Sequence, residues 1–201
     1  MQKVIQISLG MVSVFAIQGE KTILVDAGLP GTYEKIMAGL KNHSINPEDI
    51  SLIVITHGHS DHVGELSALK ELTKAKVVMH RIDAECLKSG ESADVCPTNI
   101  KSKIIKKLFI RNTSVIPVKP DIEIEDEFTL DNYGVKGKLI YTPGHTMGCI
   151  SVVLSTGEAV VGDMIAGGKE KNRSKIALPI FMCDMNLTKL SLKKILGYAP
   201  T

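Results

Sequence analysis

Short apolar and β-branched runs open the chain at residues 4–8, 11–17 and 22–25, separated by Gly10 and by Gly19-Glu20-Lys21. Runs of that length broken by turn-forming residues predict the opening strands of a sheet. The period then changes. Ile36, Met37 and Leu40 recur at helical spacing and predict a helix over residues 33–40 with one apolar face. Asn46-Pro47 restarts the chain, and residues 50–55 are almost wholly apolar, the pattern of a strand buried on both faces. After a polar stretch at 56–62, Val63, Leu66, Leu69 and Leu72 return every three residues, with Ser60 placed to cap a helix that begins there.

The second half repeats the alternation. A strand at 76–79 ends at His80, and residues 83–114 read as a less regular insert, expected to lie over a functional site as long irregular inserts often do. Within it, the apolar and basic residues of 101–111 predict one amphipathic helix with a solvated face. Strands are predicted at 122–124, 128–130, 138–141, 150–154 and 159–161, with turns at 132–134 and 155–157. A last helix over 186–196 is expected to pack through Leu187, Leu190, Ile195 and Leu196 and to stop at Gly197. With no composition break or linker, the chain reads as one layered α/β domain over residues 1–201, helices outside the sheet.

Composition narrows this picture. A chain of 201 residues, 44% hydrophobic and 23% charged, suffices for a continuous core, and disorder is excluded. The net charge of +2 gives no field to gather a polyanion, so no nucleic-acid partner is expected. No apolar run reaches membrane-spanning length and the first residues lack a signal-peptide pattern, so no membrane partner and a cytoplasmic location are expected. Cys86, Cys96, Cys149 and Cys183 form no C-x-x-C pair, which predicts four free thiols in a reducing compartment.

The chemistry concentrates in Thr56-His57-Gly58-His59-Ser60-Asp61-His62, which follows an apolar strand, where α/β folds place ligands. In extended backbone, residues two apart project to one side, so His57 and His59 suit one cation, and Asp61 and His62 face a second as the chain turns into a helix. Imidazole and carboxylate donors suit zinc, with iron and manganese as alternatives. His80 and His43 lie outside this cluster and read as a structural histidine and a solvated helix cap; Cys149 reads as core.

The H-x-H-x-D-H pattern resembles the signature of the metallo-β-lactamase superfamily. Thr142-Pro143-Gly144-His145-Thr146 is similar to the segment that carries that family's third histidine, Gly162-Asp163-Met164 to the one carrying its bridging aspartate, and Val25-Asp26-Ala27-Gly28 to its early turn. The resemblance implies a four-layer αββα sandwich. It implies one metal site made by His57, His59 and His145 and a second by Asp61 and His62, with Asp163 bridging and Asp26 orienting the ligand loop from behind. It further implies a zinc-dependent hydrolase of the glyoxalase II or lactonase-like branch. There a metal-bound hydroxide, assisted by the catalytic carboxylate Asp61, would cleave an ester-like bond (thioester, lactone or phosphodiester) in a small molecule. Aspartate rather than cysteine at position 163 points away from antibiotic hydrolysis. The family's terminal strand and last histidine have no counterpart before Thr201, which leaves as one alternative a metal-binding protein with an incomplete site; the chemistry of some relatives of this fold leaves as another an iron-dependent sulfur oxygenase.

Overall fold

The computed structural model describes residues 2–109, 114–167 and 178–198. The end of the expected basic helix at 110–111, part of the insert and the final residues 199–201 therefore lie outside the described residues.

Strands β1 (Lys3–Ser8), β2 (Ser13–Gln18) and β3 (Thr22–Val25) make an antiparallel meander in which Ile5 faces Ala16 and Ile17 faces Ile23. Strands β4 (Ile50–Val54), β5 (Lys76–His80) and β6 (Ile122–Ile124) add in parallel, completing a six-stranded sheet in sequential order. Parallel neighbours require crossovers. They are supplied by α1 (Tyr33–Asn42), by α2 (Ser60–Val63) with α3 (Leu66–Thr73), and by α4 (Arg81–Ser89) with α5 (Ile100–Phe109). Strands β7 (Glu127–Thr129), β8 (Gly137–Tyr141), β9 (Ile150–Leu154) and β10 (Ala159–Val160) form a second, antiparallel sheet ordered β10-β9-β8-β7, followed by α6 (Met185–Leu196).

Strand alternation sorts the apolar residues into three cores. In β4, Ile53 joins Ile36, Leu40, Leu66, Leu69 and Leu87 under the helices, while Leu52 and Val54 face the other way. Those two pack with Ile23, Val25 and Val78 against Leu139, Ile150, Val152 and Leu154 of the second sheet. Ile140 and Val153 turn to the far side of that sheet and meet Ile195 of α6. Three cores between four layers make an αββα sandwich. A one-residue slip in β4 would exchange its two faces, so both cores fix its register.

Three expectations change at the level of side chains. The helix expected from Ser60 is two: His59, not Ser60, takes the N-cap position of α2, and the chain breaks at Gly64-Glu65 before α3. Gly64 lies against the backbone of Leu29 and Pro30, where a Cβ would come within 2.2 Å of the Pro30 nitrogen, and Leu72 ends up exposed. In α6 the buried face is Thr188, Ser191 and Ile195 rather than Leu190 and Leu196. Small polar residues are needed there because the helix rests on backbone: Ser191 Oγ donates to Pro143 O at 2.7 Å, and a Cβ on Gly144 would lie 2.1 Å from Thr188 Oγ1.

The third correction concerns the cysteines. Cys96 and Cys183 form a disulfide, leaving Cys86 and Cys149 as thiols. Around it, Met182 N donates to Cys96 O at 2.7 Å and Pro97 bridges Phe181, so the loop after α4 is stitched to the segment before α6. Closing a loop across a separation of 87 residues restricts the unfolded chain, and the entropy argument assigns such a bridge up to about 4 kcal/mol. The doubly substituted Cys96→Ala/Cys183→Ala protein is expected to melt below the oxidised wild type in differential scanning calorimetry. A reductant is then expected to lower the melting temperature of the wild type and leave the variant unchanged.

Candidate metal centre

Every candidate ligand stands where a strand ends. His57, His59, Asp61 and His62 follow β4, His145 follows β8, and Asp163 follows β10 in a short 3-10 turn at Gly162–Met164. Ile150 N donates to Thr56 O at 2.9 Å, so β9 of the second sheet is tied to the first ligand loop.

The inner ring nitrogens converge. His57 Nε2 lies 3.1 Å and His145 Nε2 3.0 Å from His59 Nδ1. His57, His59 and His145 thus make one cluster able to hold a cation, and His57, His62 and Asp163 make a second. Asp163 reaches both: one carboxylate oxygen is 3.3 Å from His62 Nε2 and the other 3.8 Å from His145 Nε2. Asp61 stands further out, with Oδ2 4.0 Å from His62 Nε2 and its side chain about one-third exposed, and it enters neither cluster.

The outer nitrogens explain why the inner ones are free. His62 Nδ1 donates to Asp26 Oδ2 at 2.8 Å. Asp26 also accepts from Thr56 N at 2.8 Å and from the Thr56 hydroxyl at 2.9 Å, so that hydroxyl is left to accept from His57 Nδ1 at 3.0 Å. His59 Nε2 donates to Asp94 O at 3.3 Å, and His145 Nδ1 to Phe181 O at 2.9 Å. His57, His59 and His145 therefore spend their protons outward and turn a lone pair inward, while Asp26 holds His62 with its Nε2 facing the site, the arrangement that orients metal-ligating histidines. Asp26 achieves this from a backbone φ of +65°, a conformation a non-glycine residue keeps only when its surroundings enforce it.

These contacts test whether the residues fit a metal. Among the described residues, buried His62 Nε2 has no hydrogen-bond partner. An orphaned buried nitrogen costs stability unless something occupies it, and three facing imidazole lone pairs repel unless a cation lies between them. The donor set of imidazoles and carboxylates suits a divalent transition cation.

Charge at the site follows from burial. Burial, then the neighbouring His62, His59 and His145, holds His57 well below the ordinary histidine range. Burial also lowers His59, and it lowers His145 to about 4. Burial pushes His62 the same way but is outweighed by Asp26 and then Asp163, so its pKa is raised, while His62 holds Asp163 low against the opposing effect of burial. Without a cation, then, His62 retains a proton that a metal must displace.

The sign of the pH dependence follows. Between pH 6.5 and about 4 the unfolded chain takes up protons at His57, His59 and His145 that the folded chain refuses, so metal-free stability falls as pH falls through that window. His145 alone contributes on the order of 3 kcal/mol to that loss. His62, with its raised pKa, already carries its full stabilisation below pH 6.5 and does not oppose the trend. Chelator-treated protein is expected to show a melting temperature that drops steadily from pH 7 to pH 4.5, and a flat profile would contradict the neutral-imidazole assignment.

The remaining histidines are structural. His80 is buried, caps α4 by accepting from Ile82 N at 3.2 Å, and stacks on Tyr141 at 4.2 Å, while His43 is the exposed C-cap of α1. Cys149 lies in neither cluster, and burial pushes its thiol up to about 12. Sequence reasoning missed the carbonyls of Asp94 and Phe181 and the buried carboxylate of Asp83, which accepts from Gly58 N at 2.8 Å and from Thr146 Oγ1 at 2.7 Å. Carbonyl acceptors carry no residue-type signal, and an aspartate in a first helical turn reads as a dipole partner.

An αββα sandwich with a histidine and aspartate cluster at its strand ends defines a metal-binding α/β protein. The chain belongs to the metallo-beta-lactamase superfamily, whose family model matches residues 7–200. A probable metallo-hydrolase of Methanocaldococcus jannaschii is 32% identical over 151 residues, covering 75% of this chain and 66% of its own length. A probable metallo-hydrolase of Bacillus subtilis is 24% identical over 191 residues, covering 89% of this chain and 72% of its own length. Among solved structures, a HARLDQ-motif mutant of a metallo-beta-lactamase of Cronobacter sakazakii superposes with a TM-score of 0.60 at 26% identity, over 78% of this chain and 58% of that one. The chain thus spans about two thirds of the archaeal relative's length. Among the described residues no helix is long and apolar enough to cross a membrane.

Proposed function

We propose that this chain is a zinc-dependent hydrolase of the glyoxalase II or lactonase-like branch, cleaving an ester-like bond (thioester, lactone or phosphodiester) in a small molecule. The observation that carries the reading is the convergence of the inward nitrogens of His57, His59 and His145, with His62 Nε2 and the two-faced carboxylate of Asp163 beside them.

His57, His59 and His145 would hold one divalent cation, and His62 and Asp163, next to His57, would hold a second. When bound, such a cation supplies Lewis acidity, lowering the pKa of coordinated water from ~15.7 toward ~7 and polarising a substrate oxygen. The protein's own part is positional. Asp26 and Thr56 fix the orientation of His62 and His57, and His57, His59, His62 and His145 are all buried. Asp61, about one-third exposed beside His62, would accept a proton from the attacking water and pass it to the leaving group. An aspartate at position 163, where a thiolate ligand would favour softer coordination, fits oxygen-centred hydrolysis.

The test is elemental analysis of purified protein with a panel of thioesters, lactones, phosphodiesters and β-lactams. Zinc at one to two equivalents with turnover of one ester-like class is the expected result. Iron with oxygen consumption would favour sulfur oxygenation, and cation uptake with no turnover would favour a binding role.

A further inference from the structure

Site one is built from two segments far apart in the chain, the loop 57–62 and the loop 142–149, and something must hold them in register. We infer that Asp83 is the positioning residue that clamps the two ligand loops together and so sets the geometry and affinity of the His57, His59 and His145 site. The inference rests on the metal-centre reading above.

Asp83 sits in the first turn of α4 with only 3% of its surface exposed. Its Oδ2 accepts from Gly58 N, between two ligand histidines, and from Thr146 Oγ1, next to the third. Apart from the candidate ligand Asp163, it is the one side chain outside the two loops that bonds to both among the described residues. No lysine, arginine or histidine among the described residues lies within ion-pair distance of it, so the carboxylate is buried on neutral donors alone. That is an expensive arrangement for stability by itself. The loops are also shaped to admit it: a Cβ on Gly58 would lie 3.3 Å from Asp83 Cβ, and one on Gly148 would lie 2.3 Å from Asp83 Oδ1.

The proton inventory makes the clamp directional. Thr146 has one hydroxyl proton, and Asp83 takes it. Thr146 Oγ1 therefore faces Cys149 Sγ, 3.2 Å away, as an acceptor, while Thr146 N donates to the same sulfur. The chain from Gly58 through Asp83 and Thr146 to Cys149 thus fixes the backbone that follows His145, and the 3.0 and 3.1 Å spacing of the inner nitrogens depends on that placement.

The test compares wild type with Thr146→Val, Thr146→Ser, Asp83→Asn and Asp83→Ala, all as full chains. Zinc affinity is read by competition with a chromophoric chelator, the visible absorption of the cobalt-substituted protein reports the ligand geometry, and the melting temperature of the metal-free form reports folding. Thr146→Val, nearly isosteric, is expected to weaken the tightest zinc site about 10–100-fold and to alter the cobalt bands. It should leave the metal-free melting temperature within a few degrees of wild type. Thr146→Ser restores both readouts, and Asp83→Asn, which keeps one acceptor oxygen, falls between. If Asp83→Ala does not fold, Thr146→Val and Asp83→Asn carry the comparison. Wild-type affinity and cobalt spectrum in both of those variants would overturn the inference while leaving the metal centre intact. A wild-type chain that takes up no cation would overturn both.

Discussion

Substituting His59 with alanine is expected to remove the bound cation and hydrolytic turnover together while leaving a folded protein. His59 Nδ1 is the shared vertex of the first cluster, 3.1 Å from one partner nitrogen and 3.0 Å from the other, so its loss leaves two ligands where a catalytic site needs three. The fold asks little of the same side chain. His59 occupies the N-cap position of α2 without a side-chain cap bond, and its one outer contact is to the carbonyl of Asp94. Elemental analysis is expected to report loss of the tighter cation, with turnover down at least about a thousandfold because water is no longer acidified toward neutrality. The circular-dichroism spectrum should match wild type. A variant that kept its turnover after dialysis against chelator would exclude His59 as a ligand of the reacting cation.

Much of this site was legible because its ligands are residue types that cluster for few other reasons. Three imidazoles and a carboxylate packed into residues 57–62 announce a cation, and the almost wholly apolar run at 50–55 announces a strand buried on both faces that delivers them. What stayed hidden was whatever depends on side chains meeting across the fold. The Cys96–Cys183 disulfide joins residues 87 apart, and no spacing rule brings them together. Its pairing arises because the segments on either side already share backbone bonds, which outweighs the compartment argument for free thiols. The buried face of α6 was misread for a related reason. A count of apolar residues favours Leu190 and Leu196, yet the helix lies on the backbone of Pro143 and Gly144, where Thr188 and Ser191 fit and leucine would not. Asp83 was invisible because its role lies in what it accepts from Gly58 and Thr146, two residues without chemistry of their own.

Asp26 offers the sharpest separation of folding from metal binding, because alanine and asparagine there do different things. Asp26→Ala strips the acceptor from Thr56 N, the Thr56 hydroxyl and His62 Nδ1 at once, leaving a buried histidine whose raised pKa depended on that carboxylate. Breaking a buried ionic pair from one side costs about 3–5 kcal/mol, so alanine is expected to lower the melting temperature sharply in the metal-free protein. Asparagine tolerates the left-handed backbone that Asp26 adopts and can keep the Thr56 N bond through its carbonyl oxygen. It then presents an amide N–H to His62 Nδ1, where a carboxylate oxygen had accepted. His62 must therefore accept at Nδ1 and carry its proton on Nε2, pointing into the site where a cation would sit. Asp26→Asn is accordingly expected to stay folded and hold the cation at His57, His59 and His145, while affinity at the His62 and Asp163 position falls about 10–100-fold. Titration of metal-free protein with zinc, followed by calorimetry, resolves the two steps. Unchanged affinity at both positions in the asparagine variant would mean that the tautomer of His62 is set by something other than Asp26.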